Sequence, residues 1–140
     1  MAEQENVRVV KEAYAAFQRG DIPGLLEILA DDIDWWTPGT PEQIPYAGRL
    51  RGRGEVGGFF TRLAESEDIT HFEPQEFIAQ GDKVVVTGNY KGRTRPAGRD
   101  YDLDWLHLFT VRDGRIQALR EYVDTAALAD AHRTAAAQTA

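Results

Sequence analysis

The sequence contains no cysteine. Disulfides, thiolate nucleophiles and thiolate metal sites are therefore excluded. It also lacks any apolar run approaching the roughly 20 residues that cross a bilayer as a helix. Its opening, "MAEQENVRVV", has neither the positive region nor the apolar segment of a secretory signal, so a cytoplasmic location is the default expectation. Positive charge is scarce: 16 basic residues face 23 acidic ones, for a net charge of −7. A nucleic-acid groove needs a concentrated basic face, so neither nucleic acid nor membrane is an expected partner. The one basic cluster, "GRLRGRGE" at 48–55, mixes Arg with Gly and reads as a solvated loop leading into a helix. Its glycines have neither the spacing nor the preceding strand of a dinucleotide site. The chain has three histidines and no H-x-x-x-H or H-x-H arrangement, and His71 and His132 have no partner at metal-ligand spacing. No metal and no cofactor is expected.

What is present suits one globular domain. In 140 residues, 42% are hydrophobic and 28% charged, which is enough to build a core and argues against disorder. A single domain over 1–140 is expected, ordered from about 5 to 130, with a small polar tail at 134–140 that frays. Val7, Val10, Tyr14 and Phe17 recur at spacings of three and four, the stripe of an amphipathic helix. "RGD" at 19–21 stops it. Asp21 then caps a second helix, with Pro23 in its first turn and Ile22, Leu25, Leu26 and Leu29 as its apolar face. A short strand, Ile33 to Trp36, is followed by a loop over 37–53, rich in Gly and Pro and long enough to be a lid or pocket wall. Val56, Phe59, Phe60 and Leu63 mark a third helix. Four strands follow, over 69–79, 83–94, 101–111 and 115–123, and Thr125 to Arg133 reads as a last helix. The order predicts an α+β fold, a curved antiparallel sheet wrapped as a cone around three N-terminal helices. Three helices need not fill such a cone, and the space left over is an apolar pocket.

The stretch "DLDWLHLFTVRDGRIQALREYVD", residues 102–124, carries the chemistry. If Asp113-Gly114 is a two-residue turn, position 106 lies opposite 121, and His107 and Glu121 point to opposite faces. If Gly114 is instead the bulge residue of a three-residue turn, 105 lies opposite 121. Leu103, Trp105, His107, Phe109 and Val111 then share a face with Leu119, Glu121 and Val123. The second register gathers the larger apolar set and is preferred, making His107 and Glu121 diagonal neighbours. An imidazole and a carboxylate together on an apolar face are what proton transfer needs, since desolvation favours the neutral form of each type. Tyr14, on the inward helix face, is positioned to add a hydroxyl donor for a developing oxyanion. The plain alternative is that His107 and Glu121 only satisfy each other and Tyr14 only packs.

Around these three, Trp36, Tyr46, Phe60, Trp105, Leu119 and Val123 are the expected pocket walls. A core role is equally natural for Trp36, and a core role is the more common one for aromatics at helical spacing such as Phe59 and Phe60. Asp102 and Asp104 alternate with Leu103 and Trp105 and should be solvated. Asp124 with Thr125 should cap the last helix.

The runs "VKEAYAAFQRGDIPGLLEILADDIDWWTPG", "YAGRLRGRGEVGGFF" and "FTVRDGRIQALREYVD" together resemble the SnoaL-like branch of the nuclear transport factor 2-like superfamily. That superfamily also holds ketosteroid isomerases, scytalone dehydratase and limonene epoxide hydrolase. The resemblance covers about residues 5–130. It implies a cone-shaped α+β barrel with a cavity, and a homodimer formed through the outer sheet face. In this reading Tyr14 falls where ketosteroid isomerases place their oxyanion-hole tyrosine. His107 falls about where they place a protonated aspartate and where SnoaL-like polyketide cyclases have a pocket histidine. Glu121 falls about where those cyclases carry an acid–base aspartate. The ketosteroid isomerase base, however, corresponds to Thr37, and threonine cannot serve, so steroid isomerisation by that mechanism is not expected. The Arg and two Asp of the epoxide hydrolases have no counterpart. Three functions stay open: an acid–base enzyme for a small apolar carbonyl compound, a binding module using the same cavity, and a dimeric adaptor whose cavity is filled.

Overall fold

The apolar stripe on the first segment becomes α1 (Ala2–Gln18), with Val9, Val10, Ala13 and Tyr14 buried. A computed structural model of the chain describes residues 2–134; the expected frayed tail, from 135 on, lies outside the described residues. The chain leaves α1 at Gly20, whose φ of +76° is left-handed and suits glycine. Asp21 then accepts a hydrogen bond from the Gly24 amide at 2.9 Å and opens α2 (Ile22–Ile28), with Pro23 in its first turn. There follow β1 (Leu29–Thr37), β2 (Gly48–Arg51), α3 (Gly52–Ser66), β3 (Glu67–Gln80), β4 (Lys83–Thr94), β5 (Asp100–Arg112), β6 (Arg115–Val123) and α4 (Thr125–His132). Asp124 caps α4 by accepting from the Ala127 amide at 3.0 Å.

The strands form one curved, unclosed six-stranded sheet in the order β2-β1-β6-β5-β4-β3. β3 to β6 are the expected antiparallel meander. α1 lies against β3, β4 and β5, and α3 lies against β1. The core between these layers includes Val10, Leu29, Ile33, Val84, Val86 and Ile116, none more than 1% exposed.

The sheet departs from the sequence reading in two places. It is not wholly antiparallel, because β1 enters from the helical segment and pairs parallel with β6. The segment 37–53 is also not all loop, nor is "GRLRGRGE" simply solvated. Gly48–Arg51 pairs with β1, and α3 already starts at Gly52. This edge strand has no apolar alternation to announce it. Its backbone ladder is reinforced by Arg49, which donates two hydrogen bonds to Asp34 at 2.9 and 2.7 Å. The remaining loop, 38–47, is a wall: Ile44, Tyr46 and Ala47 are buried.

The β5–β6 hairpin resolves the register in a third way. Asp113 (φ +53°) and Gly114 (φ +75°) are both left-handed, so they form a two-residue turn with Arg112 opposite Arg115. Val111 then faces Ile116, but Thr110 faces Ala118, so Gln117 is an extra residue in β6. That bulge shifts the pairing, and His107 lies directly opposite Glu121 rather than diagonal to it. The expected shared face survives, although neither expected register does.

Candidate functional site

α1, β5 and β6 converge to bring Tyr14, His107 and Glu121 into one hydrogen-bonded chain. The Tyr14 hydroxyl lies 2.7 Å from His107 Nδ1, and His107 Nε2 lies 2.9 Å from Glu121 Oε2. Tyr14 and His107 are each 7% exposed, while the Glu121 side chain is 21% exposed. Burial, and secondarily the charge of Glu121, pushes the Tyr14 phenol well above its ordinary range, so it keeps its proton. With a neutral imidazole, the phenol therefore donates to Nδ1, which selects the tautomer whose Nε2–H donates to Glu121. Glu121 Oε2 is thereby held in place. Its other oxygen takes part in no hydrogen bond among the described residues, and the side chain borders the cavity. The arrangement is that of a carboxylate fixed by a histidine that is fixed by a tyrosine.

Aromatic rings hold the histidine. Trp105 stacks on His107 with centroids 4.1 Å apart and 21° between planes, and Phe72 stacks on the far face of the sandwich at 5.0 Å from Trp105. Phe109 meets the imidazole edge-on at 5.8 Å. Trp105 can lie flat on β4 because the residue opposite it is Gly88. A Cβ at that position would overlap the indole ring.

The chain borders a cavity of about 80 Å³ between the helices and the sheet, walled by apolar side chains including Phe17, Leu25, Phe60 and Leu119. Thr37, buried at the end of β1, is also in this wall. A second chamber of about 40 Å³ is lined by Tyr46, Tyr90 and Trp105 and shares Phe59, Leu63, Phe72 and Glu121 with the first. Glu121 is thus the acidic group common to both chambers. These volumes fall below the roughly 300–1,000 Å³ of sites for drug-sized ligands, so a ligand must be compact or must move phenylalanine side chains.

Among the expected walls, Phe60 and Leu119 line the larger chamber, and Tyr46 and Trp105 the smaller. Val123 lines neither; it is half-buried opposite Trp105 in the ladder. Trp36 is not a pocket residue. In β1 the inward set is Ile33, Trp35 and Thr37, so Trp35 borders the cavity. Trp36 lies on the outer face, edge-on to Tyr122 at 5.6 Å and under the Arg120 guanidinium at 5.2 Å. Asp102 and Asp104 are exposed, as expected, and both accept from the Asn89 amide.

One cluster has no sequence signature. Glu67, whose side chain is fully buried, accepts hydrogen bonds from the hydroxyls of Tyr46 and Tyr101, the latter at 2.8 Å, and its Oε2 lies 2.7 Å from His132 Nε2. His132 is therefore not isolated. The four residues come from the 38–47 loop, β3, β5 and α4, more than 20 positions apart at every step, and only the fold unites them.

Comparison with known proteins agrees with this architecture. Residues 10–119 match the model of the SnoaL-like domain. The chain belongs to that family. An NTF2-like protein from Burkholderia xenovorans superposes on this SnoaL-like domain with a TM-score of 0.86 and 41% identity, covering 95% of this chain and 99% of that one. The crystal structure of TerC with polyporic acid matches at a TM-score of 0.81 and 29% identity, over 91% and 97% of the two chains. An uncharacterised protein from Mycobacterium bovis is 31% identical over 128 residues, 91% of this chain and 95% of its own length.

Proposed function

We propose that this SnoaL-like domain binds a compact apolar molecule bearing a carbonyl and moves a proton on it, leading to isomerisation, cyclisation or dehydration. The observation that carries this is the chain Tyr14–His107–Glu121 at the border of an otherwise apolar cavity. Glu121 is the acid–base group: one oxygen is held by His107 and the other is open to a ligand. His107 orients it and shares its charge, and Tyr14 fixes the imidazole tautomer. The geometry favours Tyr14 as an orienting donor over a direct oxyanion donor, because its proton is engaged on Nδ1. Thr37 in the base position of the ketosteroid isomerases speaks against their route. The co-crystallisation of TerC with polyporic acid supports a small organic ligand for this chain as well.

The test is a thermal-shift screen of flat carbonyl compounds, polyporic acid among them, on wild type and Glu121→Gln. A ligand at a hundred times its dissociation constant adds about 2.7 kcal/mol of stability. Hits whose shift changes in the variant support the reading. Hits indifferent to the variant favour a passive binding module. The small cavity volume favours a third reading, an adaptor with a filled core, and an absence of hits would support it. The outer face carries Trp36, half-buried Leu106 and Leu108, and Tyr122 at 45% exposure, which suits a homodimer through that face. A strictly monomeric species by light scattering at high micromolar concentration would exclude the dimer.

A further inference from the structure

Among the described residues, two buried side-chain polar atoms have no hydrogen-bond partner, the indole nitrogens of Trp35 and Trp105. An indole N–H usually finds an acceptor when buried, and leaving it without one costs stability. The two orphans differ in their surroundings. Trp105 is clamped between His107 and Phe72, and its Cε2, to which the nitrogen is bonded, lies over Gly88 of β4. Its N–H is therefore held on the β4 side. Trp35, 6% exposed, stands instead in the wall of the larger chamber, edge-on to Phe59 at 5.4 Å and to Phe60 at 5.6 Å. None of the chamber's polar side chains accepts from it, Tyr14, His107 and Glu121 being bonded to one another. Phe59 borders both chambers, so its ring has open space on two sides and can turn with little loss of packing.

We propose that Trp35 is a specificity-determining residue, whose indole N–H donates a hydrogen bond to an oxygen of the bound ligand. The ligand enters by turning Phe59 aside, which joins the two chambers and uncovers the nitrogen. Two observations are accounted for together: a buried donor without an acceptor, and a cavity of about 80 Å³ that falls below the usual size of a ligand site. The ligand class follows from the walls. They are largely aromatic, which suits a flat apolar body. Neither chamber is lined by Lys or Arg and both contain Glu121, so the oxygen is that of a neutral ketone or ester and not of a carboxylate or phosphate. Trp35 lies opposite Leu119 in the β1–β6 ladder, two residues before Glu121, so donor and carboxylate share one wall. A ligand held by its oxygen at Trp35 keeps its body beside Glu121. The role of Trp35 rests on the ligand-binding half of the reading above and does not require proton transfer by Glu121.

The experiment is a proton–nitrogen NMR titration of isotope-labelled protein with acetophenone and with α-methylstyrene, which matches it in shape but has a methylene group in place of the oxygen. Wild type should bind the ketone roughly three- to tenfold more tightly, the contribution of one neutral hydrogen bond. Its Trp35 indole signal should move downfield with the ketone alone. The chain has three tryptophans, and Trp35→Phe, Trp36→Phe and Trp105→Phe assign their indole signals, any two variants sufficing. Trp35→Phe should lose the preference, and Trp36→Phe, altered on the outer face, should keep it. Thermal unfolding checks that Trp35→Phe is folded; if it is not, the indole shift in wild type decides alone. Equal affinity of wild type for the two probes would overturn the role of Trp35 while leaving ligand binding standing. So would a preference that folded Trp35→Phe retains, or a Trp35 signal that both probes move alike. Failure of wild type to bind either probe at millimolar concentration would overturn both this role and the ligand-binding reading beneath it.

Discussion

Alkaline pH is a perturbation whose effect on this fold can be worked out from its tyrosines. Of the five tyrosines, Tyr14, Tyr46, Tyr90 and Tyr101 are at most 8% exposed, and Tyr122 is 45% exposed. Burial, with the charges of Glu67 or Glu121 adding to it, pushes all four buried phenols upward. In the unfolded chain a tyrosine ionises near pH 10. The folded state therefore holds four protons that the unfolded state gives up above that pH. Stability is unaffected by these groups below about pH 10 and falls as pH rises past it, by about 1.4 kcal/mol per pH unit for each such phenol. With four acting together, the slope approaches about 5 kcal/mol per unit, enough to erase an ordinary stability of about 5–15 kcal/mol within a few units. The assay pairs urea midpoints from pH 8 to 11.5 with tyrosinate absorbance and circular dichroism. Four phenols should ionise in one cooperative step that coincides with loss of the fold. Gradual ionisation of all five near pH 10, with the sheet intact, would refute the burial argument.

Three further outcomes follow from local geometry. Gly88→Ala should cost at least about 1–3 kcal/mol by urea denaturation, because the new Cβ overlaps the Trp105 ring that stacks on His107. Glu67→Ala removes the acceptor for Tyr46 and Tyr101 and the partner of His132, all buried; a loss on the order of 3 kcal/mol or more is expected, and a midpoint within error of wild type would contradict the network. Asp21→Ala should cost about 1 kcal/mol through loss of the α2 cap, with little effect on ligand binding.

The helices and the long strands were readable because their signals are local. The spacing of Val7, Val10, Tyr14 and Phe17, and turn chemistry such as Asp113-Gly114, depend only on neighbouring residues. What was hidden depends on partners distant in the chain. The bulge at Gln117 sets the register of His107 against Glu121, yet it is fixed by how β6 must satisfy both β5 and β1. Alternation in β1 showed that Trp35 and Trp36 face opposite ways but not which faces in; the parallel pairing with β6 decides that. β2 carries charge rather than apolar alternation, so nothing in its composition marks a strand. His132 finds Glu67 across 65 positions, a meeting no spacing rule anticipates. The candidate site was legible as a set, Tyr14 with His107 and Glu121, because each lies on an inward face, while its second chamber was not.

The most direct test is proton NMR of deuterium exchange at the α-carbon of 1-tetralone, with wild type, Glu121→Gln and His107→Ala compared at equal concentration. If Glu121 is the base, wild type should accelerate exchange and Glu121→Gln should lose roughly 10²–10⁴ of that rate, with His107→Ala also impaired. Exchange at the same rate in wild type and Glu121→Gln, with the ketone bound, would contradict acid–base chemistry at this site.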